Sequence, residues 1–170
     1  GYIARVKAAA TALGWPADRL VVRLVQLVTL SRHGKPVPMS KRQGEFVTFR
    51  EVLDEVGADA TRFFYLMRTM DSHLDFDLDL AKSKSQDNPV YYVQYAHARI
   101  WSILTYARTQ LPWWKRLGPV DLGRLGEPEE RLLMRQLLRF PMVLSSCAYT
   151  LEPHGVLVYL QKLAAMFHVF

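Results

Sequence analysis

Pro38-Met39-Ser40-Lys41-Arg42-Gln43-Gly44 stands between an apolar run, Val21 to Leu30, and a helix-opening sequence, Thr48-Phe49-Arg50-Glu51. The run is short and rich in β-branched residues, which predicts a strand of a parallel sheet rather than a helix. The segment after it is polar, carries adjacent cations and is bounded by proline and glycine, so it reads as a loop. Thr48 offers its hydroxyl as an N-cap, Glu51 sits three residues later in capping-box spacing, and Gly57 closes that short helix. A cationic loop at the end of a buried strand is a place where an enzyme can hold a nucleotide's phosphates, its lysine aimed at developing charge. The same composition also describes a solvated turn.

Working outward, Ile3, Val6, Ala10 and Leu13 form a helical pattern that Gly14 closes, with a turn at Trp15-Pro16. Downstream of Gly57, Asp59 is placed to cap a helix whose Phe63, Leu66, Met67 and Met70 make one apolar stripe. Leu74, Phe76, Leu78 and Leu80 then alternate with Asp75, Asp77 and Asp79, predicting an extended connector with one apolar and one wet, acidic side. Alternate aspartates invite a calcium reading, but an EF-hand loop begun at Asp75 needs glycine where Leu80 stands and glutamate where Gln86 stands. No metal site is expected.

From Asn88 the pattern is helical. Asn88 caps a helix with Pro89 in its first turn, where the missing N–H is harmless. Val93, Ala96, Ile100, Ile103, Leu104 and Ala107 share its apolar face, and His97 falls on the core side. Beside that face, at spacings of three and four, run Tyr92, Tyr95, Arg99, Ser102 and Tyr106. Tyrosine rings offer flat faces on which unstacked bases lie, and Arg99 can neutralise a phosphate or stack itself; tyrosines at a core margin also pack simply with the hydroxyl outward. Gln110 to Gly126 is a break containing Trp113-Trp114 and Lys115-Arg116. Helix resumes near Pro128 with Leu133, Leu137, Leu144, Cys147 and Leu151 inward and an interruption at Pro141, and Glu152-Pro153-His154 opens the last helix.

At 170 residues, half of them apolar, the chain holds enough material for one sizeable core or two small ones. Its single cysteine excludes an internal disulfide and agrees with a reducing, cytoplasmic setting. No stretch of membrane length or signal-peptide pattern occurs in the sequence. Residues 1–50 carry nine Lys/Arg against two Asp/Glu (+7), residues 51–80 two against eight (−6), and residues 81–170 eleven against six (+5). Two basic lobes around an acidic joint suit a polyanion that touches both ends. A start at Gly1 and a stop at Phe170, each inside a helical pattern, suggest a piece of a longer protein.

Met39-Ser40-Lys41-Arg42 with Gly44, followed by Phe46-Val47-Thr48, resembles the K-M-S-K-S loop of class I aminoacyl-tRNA synthetases in its M-S-K-R form. Gly57-Ala58-Asp59-Ala60 with Arg62-Phe63-Phe64, His73 to Leu80, and Asn88 to Ile100 are similar to the matching stretches of bacterial arginyl-tRNA synthetases. The resemblance implies a mainly α chain in two parts. Residues 1–80 would be the C-terminal remnant of a Rossmann-type catalytic domain, with a short parallel strand, the loop and helices; residues 81–170 would be an all-helical DALR-type anticodon-binding bundle. It implies that Lys41 is catalytic, stabilising charge on ATP's phosphates as the amino acid attacks, that Met39, Ser40, Lys41 and Arg42 form the ATP-closing loop, and that Tyr92, Tyr95 and Arg99 face the tRNA anticodon arm. It implies ATP as its magnesium complex, arginine and an arginine-accepting tRNA as substrates, and a cytoplasmic monomer.

Pro38 replaces the first lysine of the class I loop signature and Arg42 its last serine, a form arginyl enzymes often show; the departure from the arginyl pattern is Gly155, which follows Glu152-Pro153-His154 where the family has arginine, implying a lost phosphate contact. No H-I-G-H element occurs in the sequence, so the chain alone is expected not to activate arginine. The rival readings are a cysteinyl synthetase, against which the lone Cys147 speaks, and a non-catalytic helical RNA-binding or scaffold module in which Lys41 is incidental.

Overall fold

The computed structural model describes residues 1–38, 47–111, 118 and 121–170. A three-stranded sheet of order β2-β1-β3 is built from β1 (Val28–Arg32), β2 (Lys35–Pro36) and β3 (Leu74–Asp77). β1 and β3 are parallel, with Leu30 opposite Phe76, and these two side chains are fully buried. The expected strand over Val21 to Leu30 is thus shifted: it begins only at Val28, where β3 supplies a hydrogen-bonding partner, and Val21, Leu24, Val25 and Leu27 upstream are exposed. β1 returns antiparallel as β2 through His33-Gly34, both at positive φ (51° and 69°), the two-residue turn whose twist matches that of the strands. That hairpin was not among the sequence expectations.

Helix α1 (Tyr2–Ala12) ends as expected at Gly14, where φ is 85° and the Trp15 N–H donates back to the Ala10 carbonyl at 3.0 Å. Helix α2 (Phe49–Val56) has the full capping box: Glu51 N–H donates to Thr48 Oγ1 at 3.1 Å, and Thr48 N–H donates to Glu51 Oε2 at 2.6 Å. Gly57, at φ 84°, ends α2 and directly begins α3 (Ala58–Leu66). Asp59 therefore lies inside α3's first turn and does not cap it. The helix turns Ala60, Thr61 and Phe64 inward, whereas Leu66 of the expected stripe is exposed and Met70 lies beyond the helix. Phe64 stacks on Phe76 at 5.0 Å, joining helix to sheet.

The alternation from Leu74 persists only to Asp77, whose Oδ1 accepts the N–H groups of Asp79 and Leu80 and so caps α4 (Leu78–Lys82). The expected connector is a sheet strand followed by a helix.

The remaining helices are α5 (Pro89–Gln110), α6 (Pro128–Leu138), α7 (Phe140–Thr150) and α8 (His154–Val169). Pro128, Pro141 and Pro89 all sit in first turns, where no donor is lost. Helix α8 packs against α5, α6 and α7 and reaches α3, where Gln161 Nε2 lies 3.7 Å from Met67 Sδ. α5 buries Val90, Ala96 and Ala107, but Ile100 and Ile103 are exposed, as are Leu137, Leu144 and Leu151. These expectations of inward residues fail because α8 covers only one side of each neighbouring helix. His97, expected on the core side, is exposed for the same reason. Among the described residues no helix is long and apolar enough to cross a membrane.

Candidate functional site

The N-terminal turns of α5 and the last turn of α8 enclose an open recess of about 310 Å³ lined by Gln86, Tyr91, Tyr92, Tyr95, Arg99 and His168. Asn88 determines where these side chains point. Its Oδ1 accepts from Val90 N–H at 3.0 Å and Tyr91 N–H at 3.4 Å, while its Nδ2 donates to the carbonyls of Ala81 at 3.1 Å and Ser83 at 2.7 Å. Buried to 3% exposure, this one amide caps α5 and ties it to the end of α4. Residues three and four apart then share a face, so Tyr91, Tyr92, Tyr95 and Arg99 emerge together.

Helix α8 supplies the opposite wall. The His168 ring lies 4.5 Å from the Tyr92 ring and 5.6 Å from Tyr95, nearly parallel to the latter, and Tyr91 and Tyr95 are 6.1 Å apart at 17°. His168 Nε2 is 3.4 Å from the Tyr92 carbonyl oxygen, which fixes the imidazole against α5. Arg99 places its guanidinium over the Phe167 ring at 5.5 Å, so a cation is held by an aromatic face beside the tyrosines. Tyr95 is half exposed. Chemically, the recess offers aromatic planes on which a base can stack, next to a cation that can meet its phosphate.

Of the expected tyrosine stripe, Tyr92, Tyr95 and Arg99 come together here. Ser102 donates to the Ala98 carbonyl at 2.9 Å, and Tyr106 is exposed farther along α5; neither lines the recess. Sequence reasoning missed His168, Phe167, Tyr91 and Gln86. The available signal was the apolar period of α8 continued past Ala164, which puts residues 167 and 168 on the face turned to α5.

Met39, Ser40, Lys41 and Arg42 lie outside the described residues. Their flanks are described: the Val47 N–H donates to the Pro38 carbonyl at 3.4 Å, joining the two ends of the segment. The hairpin before it is clamped from below. Glu55 of α2 accepts from Lys82 Nζ at 2.7 Å and from Arg32 Nη2 at 2.5 Å, and Asp79 Oδ2 accepts from the His33 backbone N–H at 2.6 Å. The Lys82 hydrogen bond, reinforced by Arg32 and opposed by burial, holds the Glu55 carboxyl below its ordinary range, and the His33 N–H does the same for Asp79. Lys35, the nearest upstream lysine, is exposed on β2.

Residues 93–170 match the family model described as the DALR anticodon binding domain. The chain is 56% identical, over 99% of its length, to the arginine–tRNA ligase of Desulfosudis oleivorans, and 53% identical over its whole length to that of Halorhodospira halophila. It spans 31% and 29% of those two relatives. Among solved structures, a candidate arginyl-tRNA synthetase from Campylobacter jejuni superposes with a TM-score of 0.82 at 34% identity, covering all of this chain and 36% of that one. The Thermus thermophilus arginyl-tRNA synthetase gives 0.69 at 26% identity, covering 98% of this chain and 30% of its own.

Proposed function

We propose, from the premise that this chain belongs to the arginine–tRNA ligase family and spans about 30% of its relatives' length, that it serves the ATP-dependent joining of arginine to tRNA in two places. Residues 1–80 form the end of a catalytic domain whose Met39-Ser40-Lys41-Arg42 segment closes on ATP, taken as its magnesium complex, with Lys41 neutralising charge on the phosphates. Residues 81–170 grip the anticodon arm of an arginine-accepting tRNA through Tyr92, Tyr95 and Arg99. The protein acts in the cytoplasm as a monomer.

The observation that carries the reading is the recess in which Tyr92, Tyr95, His168 and Arg99 converge, open to solvent and lined by π faces and a cation. Displacement of pyrophosphate depends mainly on positioning and on cations aimed at developing charge, so the two sites have separable signatures. In the full-length protein, Lys41→Ala lowers kcat by orders of magnitude with tRNA affinity little changed. Tyr95→Ala lowers tRNA affinity roughly 5- to 150-fold, the value of one lost base stack, and leaves kcat at saturating tRNA little changed. If Lys41→Ala altered only a salt-dependent affinity, the chain would be a binding module and not part of an enzyme.

A further inference from the structure

A second and larger recess, of about 480 Å³, lies on the far side of α8, between it and helices α6 and α7. Helices α7 and α8 run antiparallel, since Phe140 meets Tyr159 at 5.2 Å and, two turns on, a Cβ at Gly155 would stand 2.7 Å from Cys147 Sγ. The rim carries Arg139 and Lys162, both exposed and without an ion-pair partner among the described residues. The floor holds Gln136, a polar side chain only 4% exposed. Apolar side chains of Met142 and Val158 wall the space between rim and floor. At the Cys147 end, His154 Nδ1 is buried without a hydrogen-bond partner, 4.0 Å from Glu152 Oε2.

A primary amide both donates and accepts, so Gln136 can meet the hydrogen-bonding edge of a ligand seated in the recess. Two uncompensated cations at the mouth call for an anionic group there, and apolar walls call for a flat or apolar body inside. One molecule that is anionic outside, flat within and polar at its inner edge is a nucleotide.

We propose that the α6–α7–α8 recess is a second nucleotide subsite, which takes one unstacked nucleotide of the same RNA, its phosphate on Arg139 and Lys162 and its base edge on Gln136. This rests on the reading of the chain as a tRNA binder. Cys147 lines the recess and reports its occupancy, because a seated nucleotide shields the thiol from alkylation.

The test uses the full-length protein with an unmodified tRNA transcript bearing an arginine anticodon, reading iodoacetamide labelling of Cys147 by peptide mass spectrometry. The transcript is expected to slow Cys147 labelling about tenfold. Because both rim cations are exposed, R139A/K162A folds normally. It is expected to bind the transcript about tenfold more weakly at low salt, to flatten the slope of log affinity against log salt by about 0.7, and to leave Cys147 reactive even when saturated. Binding that Tyr95→Ala weakens while R139A/K162A matches the parent and Cys147 stays unshielded overturns the subsite and leaves the tyrosine recess standing. Shielding that persists in saturated R139A/K162A also overturns it, since the thiol is then covered by something other than a nucleotide held at the rim. Failure of the unaltered protein to bind the transcript overturns the tRNA reading itself.

Discussion

Asn88 is the residue on which the orientation of α5 turns, and its replacement has a calculable cost. Its side chain makes two accepted and two donated hydrogen bonds at 3% exposure. Asn88→Ala loses an N-cap, about 1 kcal/mol. It also strips the buried Ala81 carbonyl and the part-buried Ser83 carbonyl of a donor, about 1 kcal/mol each. The expected total is about 3 kcal/mol. Asn88→Ser keeps the cap acceptor and loses the donors, so it falls between, near 2 kcal/mol. Asn88→Asp keeps the cap and gains a small helix-dipole term, but sets a carboxylate oxygen against two carbonyl oxygens. Protonation restores a donor, so the folded state of N88D binds that proton more tightly than the unfolded chain does. The sign follows: the N88D deficit is largest at neutral pH and shrinks as pH falls through the carboxylate range. Urea denaturation followed by circular dichroism at pH 7 and near pH 4 reads all three variants. A loss below about 1 kcal/mol for Asn88→Ala, or an N88D deficit that grows on acidification, would refute the four-bond account.

Gly155→Ala is expected to destabilise by about 1–3 kcal/mol, because its Cβ would lie 2.7 Å from Cys147 Sγ. In a Cys147→Ala background the same change becomes neutral or stabilising by up to about 1 kcal/mol through helix propensity, and an equal loss in both backgrounds would place the clash elsewhere. Glu55 titrates below its ordinary range in the folded chain, so its contribution is present at neutral pH and disappears as pH falls. Glu55→Gln should therefore destabilise most at pH 7 and progressively less as pH falls below the ordinary carboxylate range, a trend read from denaturation midpoints across that range. Thr48→Ala removes the capping-box acceptor and should lower stability by about 1 kcal/mol in urea denaturation.

Features fixed by neighbours in the chain were legible from sequence. The Thr48–Glu51 box, the turns at Gly14 and Gly57, Asn88 with Pro89, and the helix breaks at Pro141 and Glu152-Pro153 all depend on side chains within a few residues of the backbone they serve. Features fixed by distant partners were not. Nothing local to Val21–Leu30 says that only Val28 onward meets β3, because the partner is 46 residues away. Asp77 belongs to an alternating apolar pattern that reads as continuous strand, yet its carboxylate captures two backbone donors and starts a helix. The tyrosines of α5 could be placed on one face by periodicity, but whether that face is open or covered depends on α8. His168, 76 residues from Tyr92, makes it a recess. Ile100 and His97 were misplaced because a helical wheel gives relative directions and not the width of the neighbour that covers them.

The most direct test of the central claim is a chemical footprint of an arginine tRNA transcript bound to the full-length protein, compared with the same transcript saturated with Tyr95→Ala. The account predicts that the unaltered protein shields anticodon-loop nucleotides and that Tyr95→Ala re-exposes at least one of them while acceptor-arm protection is unchanged. Identical anticodon-loop footprints for the two proteins, or no protection of that loop by either, would contradict it.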